Sequence, residues 1–324
     1  MWLVSNNNNL QILQKYNLII ISLFELLIEL STMPTIEEEM EVVDFLENKF
    51  ANKENLDRRL LNVNISRTDK FKPLIKEIIL LGTDTLSEEY EKFNLQNSEI
   101  LKVNYNIIPL LHPIQLTKLF KDYFYSLFFG VDWIWRDLVG EVYTRKMFKE
   151  NFKKENKLSV CSYCDIDTIS NDRNAWIEHF LPKSIFPYLS CNPMNLIPSC
   201  TSCNVSGSGK GVMYKNPIAN QYNMQIGEKI DFELVGQTIK INDNANVSVE
   251  NYIELLNLRT RYSDELISQD VLTTLKISYN LFLNAKNIDE FDKNIFFDYL
   301  QDMGRINGFY FVQKGLLNSI DRII

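Results

Sequence analysis

The sequence predicts an α+β chain, predominantly helical, in which a short irregular module rich in cysteine separates two helical regions. Gly (11) and Pro (9) are scarce in 324 residues, which disfavours an all-β fold built on tight turns. The hydrophobic share is 45%, with 20 Phe and 15 Tyr, so a sizeable core is available and global disorder is excluded. Helical periodicity dominates both ends of the chain and fails between about 151 and 215. This gives three regions: 1–150 helical, 151–215 carrying the chemistry, and 216–324 a β-hairpin followed by helices.

Each element has its own warrant. Leu18–Leu30 reads as an amphipathic N-terminal helix. Glu25 and Glu29 interrupt it as a membrane span, and no small-residue cleavage site follows it, so neither a span nor an export signal is expected. Met33-Pro34-Thr35 offers an alternative start, because the glutamates at 37–39 suit the first turn of a helix continued by Met40, Val43 and Phe50. A helix is expected over Lys70–Leu81 with Gly82 as its stop. Another runs from Pro113 through Leu116, Leu119, Phe120, Tyr123, Phe124, Leu127 and Phe128 to a break at Gly130, and a further one carries Trp133, Trp135, Leu138, Val142 and Phe148. Their aromatic stripes read as helix-packing core. In the last region Ile230, Phe232 and Leu234 alternate with Asp231 and Glu233, Gly236 turns, and Ile239 and Ile241 return, which is a hairpin. Helices are expected over Val249–Tyr262, Leu266–Leu283 and Ile288–Met303.

Net charge is −8, from 34 basic and 42 acidic residues, which argues against a protein that coats nucleic acid non-specifically. The charge is uneven. Arg145–Lys215 holds ten Lys/Arg and six Asp/Glu, a local +4 against −12 for the remainder, as a confined phosphate-binding surface would be.

Five cysteines in a chain of this length are not a disulfide framework. Four form two CxxC pairs, Cys161/Cys164 and Cys200/Cys203, and two such knuckles supply the four thiolates of a tetrahedral structural Zn²⁺. A redox role would need a thioredoxin-like βαβ context, which is absent. Cys191 reads as a small buried hydrophobe. A closed four-thiolate site leaves no open position for substrate, so any chemistry must come from what the metal holds in place.

Between the knuckles stands Glu178-His179-Phe180-Leu181-Pro182-Lys183. His179 is one of two histidines, and His112, before a proline at a helix start, reads as structural. Trp176–Phe180 can form a strand, Asn195–Pro198 the returning strand, and Cys200–Asn204 a helix or turn. Ser206-Gly-Ser-Gly-Lys210 mimics a phosphate-binding loop but lacks the required first glycine and the Ser/Thr after the lysine.

The order Cys-x-x-Cys, Glu-His-Phe-x-Pro-Lys, Asn-x-x-Asn-Leu-x-x-x-Cys-x-x-Cys-Asn, within about residues 158–215, resembles the HNH endonucleases, the ββα-metal nucleases. That resemblance implies a ββα core with zinc knuckles and metal-dependent hydrolysis of phosphodiester bonds, with DNA the expected substrate and RNA the other nucleic acid this chemistry admits. It implies His179 as general base, Glu178 in place of the usual Asp and Asn204 as ligands of a catalytic Mg²⁺ or Mn²⁺, and Asn195 as the asparagine that holds the His179 loop. Lys183, Lys210 and Arg173 are candidate phosphate contacts. An HNH core within a longer helical chain is similar to nuclease subunits of bacterial anti-phage systems that work with an ATPase partner in the cytoplasm. The alternative is a non-catalytic, zinc-stabilised nucleic-acid-binding or assembly module.

Overall fold

The computed structural model describes residues 1–32, 71–132, 135–136, 140–169, 174–207, 209–286 and 293–317. The expected helix from Thr35, the alternative start at Met33, and Trp133, Leu138 and Arg173 lie outside the described residues. The chain is α+β and predominantly helical, and it divides into two compact units.

One unit comprises Asn6–Phe148 and His179–Leu196. Helix α1 (Asn7–Ser31) buries Leu13, Tyr16, Ile20, Phe24, Leu27 and Leu30, spaced three and four apart along one stripe. Despite Glu25 and Glu29, it is long and apolar enough to cross a membrane by length and composition. Its buried stripe packs against α2 (Phe71–Ile79) and α3 (Thr83–Leu101). Gly82, at φ 82°, joins α2 to α3 in a backbone conformation that a side chain would strain.

Beyond Pro113 the expected helix is present but not uniform. It runs as α4 (Ile114–Lys118), then a π-helical segment Leu119–Phe124, then α5 (Tyr125–Gly130). Phe24, Phe93, Phe120 and Tyr188 meet with centroids 4.7 to 6.4 Å apart and form the aromatic heart of this unit. Tyr16, Trp135 and Tyr143 make a second aromatic group.

The other unit comprises Met1–Ser5, Lys149–Glu178 and Ile197–Ile324. Helix α6 (Arg145–Asn156) leads into it. Strands β1 (Trp176–His179) and β2 (Leu196–Ser199) pair, and the short helix α7 (Thr201–Asn204) follows β2. The expected hairpin is β3 (Phe232–Val235) antiparallel to β4 (Thr238–Ile241), with Phe232 opposite Ile241 and Leu234 opposite Ile239. Gly236, at φ 64°, opens its two-residue turn. The expected single helix Val249–Tyr262 is instead two, α8 (Val247–Leu255) and α9 (Leu258–Tyr262), because Asn257 is left-handed at φ 51° and breaks the ladder. Then follow α10 (Glu265–Lys286), α11 (Lys293–Asn307) and α12 (Tyr310–Leu316). Trp2 is buried between Tyr310 and Phe311 and donates its indole N–H to Asp165 at 2.7 Å. Met1–Ser5 thus belong to this unit, with Trp2 in its core.

Candidate metal centre and histidine site

The four knuckle cysteines converge. Their sulfurs all lie within 4.8 Å of one another, and all four are buried. Cys161 to Cys203 is 3.9 Å and Cys164 to Cys200 is 3.8 Å, about twice a disulfide length and far too long for one. A tetrahedron with Zn–S bonds of about 2.3 Å has edges of about 3.8 Å. The spacing thus fits a single tetrahedral ion. The knuckle backbone agrees: the N–H of Cys200 points at Cys161 Sγ (3.3 Å) and that of Ile166 at Cys164 Sγ (3.4 Å). Such donors suit sulfur that carries negative charge.

No spacing pattern in the sequence points to Arg261. From α9 its guanidinium reaches Cys203 Sγ at 3.1 Å, Cys164 Sγ at 3.5 Å and Asp167 Oδ2 at 2.8 Å, so it touches one cysteine of each knuckle. Tyr262, the next residue, donates its hydroxyl to Cys164 O. The thiolates and Asp167 raise the Arg261 pKa further even against burial, so it stays a cation. Four thiolates around a divalent ion leave a net −2, and Arg261 offsets part of it.

Glu178 and Lys210 stand in the same unit. Both are buried, and the Lys210 ammonium donates to Glu178 Oε1. The lysine was expected on the surface as a phosphate contact; it is 1% exposed. Local geometry explains the inward turn. A Cβ on Gly209 would collide with the carbonyl oxygens of Ser202 and Cys203, so only glycine lets this loop fold back on α7. The Lys210 N–H then bonds Cys203 O at 2.9 Å. Asn204, half-buried at the end of α7, gives its backbone N–H to Cys200 O.

His179 and Asn195 belong to the other unit. His179 is 7% exposed, and its Nε2 lies 3.0 Å from Ser190 O. Its ring stacks at a tilt on Tyr125, centroids 4.5 Å apart. Asn195 is fully buried and braces the intervening loop: its Oδ1 accepts from the Leu181 N–H (2.7 Å), and its Nδ2 donates to Leu181 O (3.0 Å) and Leu189 O (3.1 Å). That loop carries Lys183, half-buried, whose ammonium sits 4.2 Å over the Tyr125 ring. Burial lowers its pKa.

His112 has a separate environment. Its Nδ1 is 2.7 Å from Glu89 Oε2, and its ring packs on Tyr188. Cys191 is buried, and burial pushes its thiol up to about 12, as for an inert core cysteine.

No family model matches the chain, and no solved structure matches it. Two curated proteins share part of it. The Septu protein PtuB of Bacillus thuringiensis is 40% identical over 60 residues, 18% of this chain and 23% of that protein. Protein ea31 of Escherichia phage lambda is 30% identical over 79 residues, 22% of this chain and 27% of that protein. The chain thus spans about a quarter of the length of these relatives, and the similarity is that of a module rather than of whole proteins.

Proposed function

We propose that the chain is an HNH-type endonuclease that hydrolyses phosphodiester bonds, with DNA as substrate and His179 as general base. The observation that carries this reading is the 3.0 Å contact between His179 Nε2 and the Ser190 carbonyl. A carbonyl only accepts, so a neutral imidazole must keep its proton on Nε2, which leaves Nδ1 as the basic nitrogen. Nδ1 then takes a proton from water as the water oxygen bonds to phosphorus and the P–O bond to the leaving oxygen breaks, and the leaving oxygen takes up a proton from solvent water. Asn195 supports this arrangement by holding both ends of the loop that contains Lys183. The four-cysteine site is read as structural zinc, which ties the 161–164 turn to the start of α7.

Glu178 and Asn204 are the donors proposed for a catalytic Mg²⁺ or Mn²⁺. As arranged, the Glu178 carboxylate is neutralised by Lys210, and an ammonium and a dication compete for the same oxygen. The present arrangement therefore does not fit a divalent ion there. The same ion pair favours a second reading, a non-catalytic zinc-stabilised module that binds nucleic acid or assembles with a partner.

The similarity to the Septu protein PtuB supports a role in anti-phage defence; a cytoplasmic setting and an ATPase subunit as partner are proposed from the sequence resemblance alone. Nicking of supercoiled plasmid with Mg²⁺ or Mn²⁺, alone and with the partner, separates the two readings. Under the nuclease reading His179→Ala loses about 10²–10⁴-fold in rate, while His112→Ala cuts at nearly the wild-type rate. Cutting by His179→Ala at full rate, or no cutting by wild type under any of these conditions, removes the nuclease reading.

A further inference from the structure

We propose that Ser190 and Tyr125 are positioning residues that set the tautomer and orientation of His179, and that the π-helical segment Leu119–Phe124 is the frame on which both are mounted. The role assigned to His179 rests on the nuclease reading; the geometry that orients its ring does not.

The imidazole is held from two directions. The Ser190 carbonyl accepts the Nε2–H at 3.0 Å, and the Tyr125 ring packs on the imidazole at a tilt of 58°, centroids 4.5 Å apart. Neither group could hold the imidazole unless it were itself held. Ser190 is fully buried, and its Oγ donates to Phe120 O at 2.9 Å. Phe120 lies within the π-helical segment, and Tyr125 is the residue that follows it. Other carbonyls of the same segment are also taken by side chains: Lys121 O by the Lys183 ammonium (3.4 Å) and Phe124 O by the Tyr16 hydroxyl (3.0 Å).

A π-turn inserts one residue into a helix, loosening the i→i+4 ladder and rotating the next side chain off the helical stripe. Here both consequences are used. The loosened backbone accepts Ser190, Lys183 and Tyr16, and the rotated side chain is Tyr125, directed at His179. The Lys183 ammonium over the Tyr125 ring, at 4.2 Å, fixes that ring in turn through its π-face. A regular α-helix at 119–124 would place Tyr125 elsewhere; here the Phe120 carbonyl accepts both the Tyr125 backbone N–H and the Ser190 hydroxyl, which ties the two residues to one atom.

The chain has two histidines, so ¹⁵N-histidine labelling of the whole protein gives two imidazole signatures, and His112, held by Glu89, reports on the fold. The wild type should show His179 predominantly as the Nε2–H tautomer. Ser190→Ala frees the loop from Phe120, and Tyr125→Leu removes the aromatic wall. Each should shift the His179 tautomer ratio by about fivefold, the equivalent of one net hydrogen bond of about 1 kcal/mol, with the His112 signature unchanged. Tyr125→Phe keeps the ring and should retain the wild-type ratio. An unchanged His179 signature in both Ser190→Ala and Tyr125→Leu overturns the proposal. So does simultaneous loss of both histidine signatures, since that would make the two residues parts of the fold rather than of the histidine's geometry. The measurement needs no substrate, so its failure leaves the nuclease reading standing, and full-rate cutting by His179→Ala would leave the tautomer result intact. If both hold, the same variants lower kcat with KM nearly unchanged.

Discussion

Lys210 donates its ammonium to Glu178 where both side chains are buried, so two groups expected to serve separately, one on phosphate and one on metal, form a single ion pair. A buried pair of this kind contributes little net stability against an apolar replacement, but either half alone is costly. Lys210→Met should therefore destabilise the protein by about 3–5 kcal/mol, because it strands the Glu178 carboxylate. Adding Glu178→Gln to Lys210→Met should restore most of that loss. Urea unfolding of the two single variants and the double variant measures the coupling, and additive losses would show that the two groups do not pair.

The contact of Arg261 with one sulfur of each knuckle makes a prediction about metal retention. Outer-shell partners of metal ligands typically account for about 10–100-fold in affinity. Arg261→Ala should speed zinc loss to a chromogenic chelator by about that factor, and Arg261→Lys, which keeps the charge but not the fork, should fall between. Equal release rates in all three proteins would leave the guanidinium with no part in holding the ion.

Zinc removal should have a larger effect. Thiolate ligation and folding of a small knuckle module are coupled, so Cys200→Ser should lose the ion and lower Tm together. Elemental analysis of the wild type gives the baseline, and a protein free of stoichiometric zinc or iron would contradict the metal assignment.

How much of this was legible from sequence follows from which signals are local. The β3–β4 hairpin was readable because alternation and a glycine turn are written within twelve residues, 230–241. The four cysteines were readable because ligand spacing is itself a local pattern. Helix α3 was missed because its buried face includes Glu89, Gln96 and Asn97, which dilute the apolar stripe on which periodicity depends. The break at Asn257 depends on a backbone angle that asparagine permits but does not demand. Tyr125 fell outside the expected aromatic stripe because the π-turn shifts the helical register by one residue, and a fixed period cannot register an insertion. Arg261 and Lys210 act across long sequence separations, Arg261 on cysteines 58 and 97 residues away, and no spacing rule connects them.

The cluster around Glu89 predicts a pH dependence in the unit that contains His179. Glu89 is buried, and burial alone would raise its carboxyl pKa. Hydrogen bonds from Lys92, Tyr188 and His112 outweigh it and hold the pKa below the ordinary glutamate value. A carboxylate depressed in the folded state contributes stability that is fully present above its unfolded pKa and is lost as pH falls through the folded one. The contribution of Glu89 should thus be constant near neutrality and should fade only in acid, below the ordinary glutamate range. Glu89→Gln removes the charge while keeping the shape, at a cost of about 2–3 kcal/mol near neutral pH, the order of one or two hydrogen bonds to a charged group. That gap between variant and wild type should narrow as the pH is lowered. Acid also strips zinc from thiolates, but it does so in both proteins, so the difference between their urea midpoints isolates Glu89. Midpoint curves that stay parallel down to the acid limit would mean that the carboxylate is not held in the charged form by its three donors.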